Sequence, residues 1–337
     1  MKPREIKKVF LYPILILVLI VSCDISFDVN LEDVNSLTKE KYPVIGEYIE
    51  RCGSIDNKVS FLFFTDPHLL GQNNLFTEVL RNSFKSSINT LKNVYNAIPF
   101  DFCICGGDWI DFGDTQEIAQ KKLLFADNYM KTNFDNYYKM MGNHDTNYQG
   151  IVSENDPSRG DLDEEFINKS YFSETGSSYY YFDISDTRFI VFDSGIDWDT
   201  SINNSRKKQI QWFATTLENN PMKHIIIGIH MFYIKDITPF SKEIITIIDA
   251  FNSKLFVNID GKEYDFSKSC GKIHLILSGH NHEDYNEIVQ SIPVVGTCNY
   301  MKNNTPNFDL CLINYDEGFF EMFRIGNGTN RKINLLL

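Results

Sequence analysis

The sequence lacks internal repeats, low-complexity tracts and any excess of positive charge. The missing repeats exclude solenoids and propellers, which use one structural unit many times. Lysine and arginine total 32 against 45 acidic residues, which gives a formal net charge of −13 over 337 residues. A surface this acidic repels polyphosphate backbones, so we expect no nucleic-acid duplex as a partner. An anionic substrate would need bound cations to attract it.

A hydrophobic run long enough to cross a membrane is also missing from the N-terminus. The run from Val9 to Val21 has 13 residues, which is short for a membrane span but typical of a signal-peptide core behind basic residues. It leads into Ile20-Val21-Ser22-Cys23, which resembles a bacterial lipobox. We therefore predict a lipoprotein signal peptide over residues 1–22, and an exported, membrane-anchored lipoprotein of a bacterial cell envelope held through lipidated Cys23. A buried helix or an ordinary secretory signal is the alternative.

Residues 23–57 show no clear periodicity and contain Pro43, Gly46 and Gly53, so we predict a spacer there. Beyond Cys23, six cysteines allow fifteen full pairings, and sequence cannot choose among them. Cys103 and Cys105 would lie on one face of a strand, where a mutual disulfide has poor geometry. Buried free thiols are the favoured interpretation.

The body of the chain alternates strand and helix patterns, as expected for a large α/β domain. Helical periodicity covers 75–98, 117–133, 208–219 and 241–251, and two hairpins are predicted at 179–193 and 308–324. Parallel units followed by antiparallel hairpins predict two stacked sheets with outer helices. Residues 146–177 and 231–271 are insertions that could form a lid or rims of a site, although a plain surface loop is equally consistent with 146–177.

Histidine is scarce, and five of the seven histidines lie in short clusters that each follow an apolar run. The clusters are Asp66-Pro67-His68, Gly107-Asp108, Gly142-Asn143-His144-Asp145, His230 and Gly279-His280-Asn281-His282. Aspartate, asparagine and histidine are ligands for divalent metals, and glycine lets the backbone come close to a bound ion. Apolar strands followed by metal-type ligands therefore predict a metal centre at the strand ends.

The order and spacing of these clusters resemble the calcineurin-like metallophosphoesterase family over roughly residues 59–300. The resemblance implies an α/β fold, a four-layer α/β/β/α sandwich of two mixed sheets flanked by helices. We place this domain at 58–326 and a C-terminal tail at 327–337. It also implies two divalent metal ions, for which manganese, iron, zinc and cobalt all suit the ligand set. Asp108 would bridge them, with Asp66, His68 and His282 on one ion and Asn143, His230 and His280 on the other.

The activity implied by the resemblance is hydrolysis of a phosphomonoester or phosphodiester through in-line attack of a hydroxide held by the metals. His144 would then donate a proton to the departing oxygen or stabilise the phosphoryl oxygens, with Asp145 holding its other ring nitrogen. The alternative to this role is that His144 only supports the metal ligands. A different class of function is a catalytically inactive protein that binds metal or a phosphate ligand on the same fold.

Asp111 separates this chain from one branch of the family. Purple acid phosphatases carry a tyrosine three residues after the bridging aspartate, where this chain has Asp111, so an iron–tyrosinate centre is not expected. We predict that Asp111 accepts a structural hydrogen bond. The motifs bind only the phosphoryl group, so they leave monoester, diester, cyclic-nucleotide and phospholipid substrates open, along with the oligomeric state.

Overall fold

The computed structural model describes residues 42–71, 75–147, 161–194, 204–232 and 239–335. The predicted signal peptide, Cys23 and part of each insertion lie outside these ranges. Within the described ranges, no helix is both long and apolar enough to cross a bilayer.

Helices are interspersed with strands up to residue 252, and the described elements that follow are all strands. The helices are α1 (Pro43–Gly53), α2 (Glu78–Ala97), α3 (Gln116–Asn133), α4 (Glu164–Phe166), α5 (Asn204–Glu218) and α6 (Pro239–Asn252). The strands are β1 (Lys58–Phe64), β2 (Phe102–Cys105), β3 (Tyr137–Lys139), β4 (Tyr180–Ile184), β5 (Thr187–Phe192), β6 (His224–Ile229), β7 (Phe256–Ile259), β8 (Lys262–Asp265), β9 (Lys272–Ser278), β10 (Tyr285–Val289), β11 (Ile292–Gly296), β12 (Met301–Lys302), β13 (Thr305–Pro306), β14 (Phe308–Asn314), β15 (Phe319–Ile325) and β16 (Arg331–Asn334).

Two six-stranded sheets form the centre of the molecule. The first has the order β16-β15-β14-β1-β2-β3 and the second the order β10-β11-β9-β6-β5-β4. Both are mixed. In the first sheet β1, β2 and β3 run parallel while β14 to β16 pair antiparallel. In the second sheet β5, β6, β9 and β11 run parallel while the edge strands β4 and β10 pair antiparallel. The apolar runs read from the sequence become strands that are buried on both faces, as parallel strands usually are.

Aromatic rings fill the space between the sheets. Phe61 of β1 stacks on Phe102 of β2 at 4.7 Å between ring centroids. Phe189 of β5, in the second sheet, meets Phe102 edge to face at 4.8 Å. Such pairs contribute about 0.5–1.5 kcal/mol each beyond the area they bury. These ring contacts therefore help to hold the two sheets face to face.

Helices cover the outer faces of the sheets. On the first sheet, α2 buries Phe84, Ile88 and Leu91, and on the second sheet Phe213 of α5 and Ile248 of α6 pack in one buried cluster. The side chain of Thr77 caps α2 by accepting a hydrogen bond from the backbone N–H of Leu80 at 3.3 Å, which explains where this helix begins. The predicted four-layer sandwich of two mixed sheets is confirmed.

The predicted spacer is wrong at its C-terminal end, since α1 packs on the first sheet. Ile45, Tyr48 and Cys52 are fully buried, and the Tyr48 ring contacts Phe323 of β15 edge to face at 5.4 Å. Pro43, read as a break, instead occupies the first turn of the helix, where its missing N–H costs nothing. The domain therefore begins before residue 58.

The predicted tail at 327–337 is also wrong in part. Residues Arg331–Asn334 form β16, which pairs antiparallel with β15 at the edge of the first sheet. Arg331 donates to the buried carboxylate of Asp309 at 2.9 Å. The short strand has only four residues with mixed polarity, so its sequence carries too weak a pattern to predict it.

The described cysteines are free thiols. Cys52, Cys103, Cys105, Cys298 and Cys311 are buried, as predicted, whereas Cys270 is exposed. Of the insertion at 146–177, residues 148–160 lie outside the described ranges, and the rest contains α4 followed by one π-helical turn over Ile167–Tyr171.

Candidate metal centre

The five polar clusters come together at one edge of the two sheets. Asp66 follows β1, Asp108 follows β2 and Asn143 follows β3, while His230 follows β6 and the Gly279–His282 segment follows β9. These strands are parallel within their sheets, so their carboxyl ends lie on the same side, where open α/β sheets bind ligands. An isolated parallel bridge between Met141 and Asp193 joins the two sheets beside this edge.

Backbone hydrogen bonds fix the first two loops to each other. The N–H of Asp66 donates to the carbonyl of Gly107 at 3.0 Å, and the N–H of His68 donates to the carbonyl of Asp108 at 3.0 Å. The loops after β1 and β2 therefore hold a constant separation, and the ligand side chains they carry are presented as one unit.

Left-handed backbone is concentrated in the predicted ligands. Five of the seven have positive φ, namely Asp66 (50°), His68 (44°), Asp108 (64°), His280 (68°) and His282 (55°). Non-glycine residues adopt this region uncommonly, and such strain, about 1–3 kcal/mol per residue, is typical of functional sites. The sharp turns let side chains two positions apart point into one cavity.

Gly142 is required by the close approach of the loops after β2 and β3. A Cβ atom at this position would lie 2.1 Å from Oδ1 of Asp108 and 2.3 Å from its backbone nitrogen. The glycine thus lets the Asp108 loop come within contact of the Asn143 loop. The sequence predicts that this glycine lets the backbone approach a bound ion, whereas the group that approaches it in the structure is Asp108.

The first group of candidate ligands contains Asp66, His68 and His282, whose donor atoms all lie within 4.8 Å of one another. Nε2 of His282 lies 3.2 Å from Oδ1 of Asp66 and 3.2 Å from Nε2 of His68. Asp66 is fully buried and its Oδ2 accepts hydrogen bonds from the Thr65 hydroxyl at 2.7 Å and from the N–H of His280 at 3.0 Å. The carboxylate is therefore held in place from two sides.

The second group contains Asp108, His230 and His280, again within 4.8 Å of one another. Asn143 completes it, since its Oδ1 lies 3.1 Å from Nε2 of His230 and 2.9 Å from Nδ1 of His280. Asp108 also faces the first group, with Oδ2 3.8 Å from Nε2 of His68. The structure thus brings all seven predicted ligands together in the two predicted sets, with Asp108 between them.

Several hydrogen-bond acceptor atoms in this cavity face one another. Acceptors so close together need a positive charge between them, which indicates a cation site. Nδ1 of His230 lies 2.6 Å from the carbonyl oxygen of Gly106 and donates its proton there. In a neutral ring, Nε2 is then an acceptor, yet it lies 3.1 Å from Oδ2 of Asp108 and 3.1 Å from Oδ1 of Asn143. Oδ2 of Asp108 is buried without a well-formed hydrogen bond among the described residues. Such a set of nitrogen and oxygen donors fits divalent metal ions.

The pKa values of the buried groups also indicate that this cavity favours a positive charge. Burial lowers the pKa of His230, but the carboxylates of Asp108 and Asp66 outweigh burial and raise that pKa to about 10. Burial raises the pKa of Asp108, but His230 holds it below its usual range. Burial and the neighbouring His230 lower the pKa of His280 to about 4. The two buried carboxylates therefore favour a positive charge at this point of the cavity.

Asp145 does not have the predicted role of holding the ring of His144. Its Oδ2 accepts from the N–H of Asp108 at 2.9 Å and of Gly142 at 3.1 Å, and its Oδ1 accepts from the N–H of Trp109 at 2.7 Å. Burial and the charge of Asp108 raise the pKa of Asp145 to about 6, opposed by these three N–H donors. The carboxylate therefore joins the loop of Asp108 to its own loop.

The carboxylate beside the His144 ring is instead Asp111. Its Oδ1 lies 3.9 Å from Nδ1 of His144 and 2.8 Å from Nδ1 of His68. The ring of Phe112 stacks on the ring of His144, with centroids 3.7 Å apart and planes 21° apart. The sequence analysis predicted Asp111 as an acceptor but did not select Phe112. No local pattern marks an aromatic residue as the neighbour of a histidine 32 positions away.

Comparisons with known proteins identify one matching family. A family model described as "Calcineurin-like phosphoesterase" matches residues 59–284, a range that contains all five clusters. No curated protein matches the sequence.

Several solved structures are similar at low identity. A purple acid phosphatase from yellow lupin (Lupinus luteus) seeds has 13% identity and a TM-score of 0.47, covering 83% of this chain and 54% of that chain. A predicted phosphoesterase from Streptococcus pneumoniae TIGR4 has 10% identity and a TM-score of 0.35, covering 83% and 99%. Vacuolar Protein Sorting 29 from Cryptosporidium parvum has 12% identity and a TM-score of 0.35, covering 83% and 100%.

Proposed function

Since the chain belongs to the calcineurin-like phosphoesterase family, we propose that it hydrolyses a phosphomonoester or phosphodiester at the centre around Asp108. The family depends on a binuclear metal centre. The observation that supports the proposal best is the convergence of six ligand-type side chains from both sheets around the buried carboxylate of Asp108. An inactive relative would be expected to have lost at least one of them.

Each ligand has a defined part in this proposal. Asp66, His68 and His282 would hold one ion, and Asn143, His230 and His280 would hold the other. Asp108 would contribute to both, because its carboxylate lies between the two groups. When bound, the ions would polarise the phosphoryl oxygens and favour in-line attack by water at neutral pH.

The remaining chemistry belongs to His144. Its backbone N–H donates to Oδ1 of Asp108 at 2.8 Å, which places the residue directly beside the ligands without using its ring. The ring is 20% exposed, so it reaches the open side of the centre. We assign His144 as the proton donor to the departing ester oxygen. Asp111 lies 3.9 Å from Nδ1 of His144, which is too long for a hydrogen bond, so this carboxylate acts on the ring only through its charge.

Bound metal ions also explain how an acidic protein could accept an anionic substrate. Asp66 and Asp108 are fully buried carboxylates, and alone they would repel a phosphate ester. Two divalent ions carry four positive charges and reverse the sign of the local field. Substrate binding is then expected to depend on metal loading.

Metal removal and reloading test this proposal. The protein is stripped with a chelator, reloaded separately with manganese, iron, zinc or cobalt, and assayed on chromogenic phosphodiesters and phosphomonoesters. We expect no turnover in the stripped protein and recovery with at least one metal on at least one ester class. A fully loaded protein that binds phosphate but turns over none of these esters would favour the inactive, ligand-binding alternative.

We further propose that the protein is exported and anchored to a membrane through Cys23. The support comes from sequence alone, namely the basic start, the 13-residue apolar run and the lipobox-like Ile20-Val21-Ser22-Cys23. Labelled fatty acid should be incorporated by the wild-type chain and not by Cys23→Ala, which should accumulate as an uncleaved precursor. A wild-type chain that takes up no label would overturn the proposal.

A further inference from the structure

Two rings and a carboxylate surround the imidazole of His144. Phe112 covers one face at 3.7 Å between centroids, the ring of His68 approaches edge to face at 4.7 Å, and Asp111 lies near Nδ1. His68 is a metal ligand and Asp111 a proton acceptor, but Phe112 can contribute only contact. Its ring thus limits how far the imidazole can rotate.

The segment that carries Phe112 is anchored by a buried ion pair outside the metal centre. Nζ of Lys122, on α3, lies 2.6 Å from Oδ2 of Asp114, and both side chains have no solvent exposure. The same ammonium donates to the carbonyl oxygen of Gly71 at 2.6 Å. One buried lysine therefore ties the end of the Asp111–Asp114 segment to the loop that follows His68.

A third loop joins the same anchor. Nδ2 of Asn147 donates to the backbone carbonyl of Asp114 at 2.7 Å, and the backbone N–H of Asn147 donates to the carbonyl of His144 at 2.9 Å. The loops after β1, β2 and β3 all meet at Asp114. Displacing Asp114 would therefore shift Phe112 relative to His144.

The energetics favour a positioning role for this anchor. A buried ion pair is often no more stabilising than apolar residues of the same volume, because desolvation offsets the attraction of the charges. What the pair supplies here is a fixed geometry among three loops. A general acid needs that geometry, because its ring nitrogen must lie within hydrogen-bond reach of the leaving oxygen, and a misplacement of 1 Å can lower the rate by about 10²-fold.

We infer that Phe112 is a positioning residue for His144 and that the Lys122–Asp114 pair fixes the segment that carries it. The inference rests on the proposed function, in which His144 donates a proton. It goes beyond the metal ligands, because neither Phe112 nor Lys122 contacts the ligand cavity in a way that would bind an ion.

Phe112→Leu removes the ring and keeps most of the apolar volume. At matched metal content, kcat on an alkyl phosphoester should fall about 10- to 100-fold, with a much smaller loss on a nitrophenyl ester and little change in KM for either. Phe112→Tyr keeps an aromatic ring and should recover most of the alkyl rate. Phe319→Leu, which removes a half-buried ring on β15, is the matched control and should leave the ratio of the two rates unchanged.

The orientation of His144 can also be observed without an activity assay. In the zinc-loaded protein, the ring protons of His144 should show an upfield NMR shift from the stacked Phe112. The shift should disappear in Phe112→Leu and persist in Phe112→Tyr. Lys122→Met should broaden or displace the same signals. If Lys122→Met does not fold, the paired variant Asp114→Asn with Lys122→Met removes both charges and provides the same comparison.

The outcomes separate this inference from the proposed function. Equal rate losses on both esters in Phe112→Leu, or His144 ring signals that do not move in that variant, would overturn the positioning role. If His144→Ala slows both esters equally, the proposed proton transfer fails. In that case the NMR signals still decide whether Phe112 orients the ring.

Discussion

Asp145 accepts a hydrogen bond from the backbone N–H of Asp108 at 2.9 Å, although the two carboxylates belong to loops that follow different strands. A second bond, from Trp109 at 2.7 Å, occupies its other oxygen. This carboxylate therefore aligns the loop whose side chain reaches both ligand groups. It supports the metal centre through the backbone and does not contact the His144 ring as predicted.

Asp145→Asn should weaken metal binding and leave the preference among leaving groups unchanged. The amide nitrogen of asparagine would face a backbone N–H donor, which leaves a buried group unpaired at a cost of about 1–3 kcal/mol. Metal affinity should fall about 10- to 100-fold, as for other residues that support ligands. Titration with metal and assays on alkyl and aryl esters measure both quantities. A rate loss on the alkyl ester alone would instead indicate that Asp145 holds the ring of His144, as the sequence predicts.

His144→Ala should slow alkyl phosphoesters far more than nitrophenyl esters. A nitrophenolate leaves nearly unaided, whereas an alkoxide needs a proton, and general acid catalysis contributes about 10²–10⁴-fold. Metal content should remain near that of the wild type, because the ring of His144 is not assigned as a ligand. His224→Ala is the matched histidine control, because His224 begins β6 and so lies at the other end of that strand from His230. Loss of one metal ion in His144→Ala would instead identify the ring as a support of the ligands.

Gly142→Ala should disrupt the metal centre. The added Cβ would lie 2.1 Å from Oδ1 of Asp108, so one loop must move, with a destabilisation of about 1–3 kcal/mol. The metal content and the free energy of unfolding, measured with denaturant, should both decrease. Gly46→Ala is the control, since no atom lies within 4 Å of a Cβ there and alanine in a helix should raise the free energy of unfolding by about 0.4–1 kcal/mol. Full metal retention in Gly142→Ala would contradict the geometry.

Cys52 should make the protein sensitive to alkaline pH. Burial raises the pKa of its thiol from 9.0 to about 11, so the folded state holds this proton more tightly than the unfolded state. The stability that this contributes is complete below about pH 9 and is lost as pH rises through 11, for a total of about 2–3 kcal/mol. The free energy of unfolding of the wild type, relative to that of Cys52→Ala, should therefore decrease by about that amount between pH 8 and 11.

Denaturant unfolding at several pH values measures this difference. Cys270→Ala, which removes an exposed thiol, controls for the loss of a thiol as such. A difference between wild type and Cys52→Ala that stays constant up to pH 11 would show that the thiol of Cys52 is not protonated preferentially in the folded state.

Most of the layers, and the meeting of the seven proposed ligands at one edge of the sheets, could be predicted from the sequence, because both depend on local patterns. The apolar runs before Asp66 and Asp108 are long enough to identify buried strands, and parallel strands necessarily bring the residues that follow them to one edge. The ligand residues could be grouped into two sets only through the family resemblance. Spacing along the chain does not determine which cluster faces which.

Features that depend on long-range contact could not be predicted. Asp145 follows His144 in sequence, which suggested a bond between their side chains, but the turn directs its carboxylate to the backbone of Asp108. The α1 helix contains a proline and two glycines, so only its burial against β15 reveals it as part of the domain. Lys122 has the spacing of an ordinary helix residue, and nothing local indicates that its ammonium is buried.

Metal content and ester turnover of the wild type and Asp108→Asn, measured on the same preparations, decide whether Asp108 unites the two ligand groups in one hydrolytic centre. We expect about two metal equivalents and phosphoester turnover in the wild type. Asp108→Asn should lose both metals and turnover together, because this carboxylate lies between the two ligand groups. Retention of two metals and full turnover in Asp108→Asn would contradict this expectation.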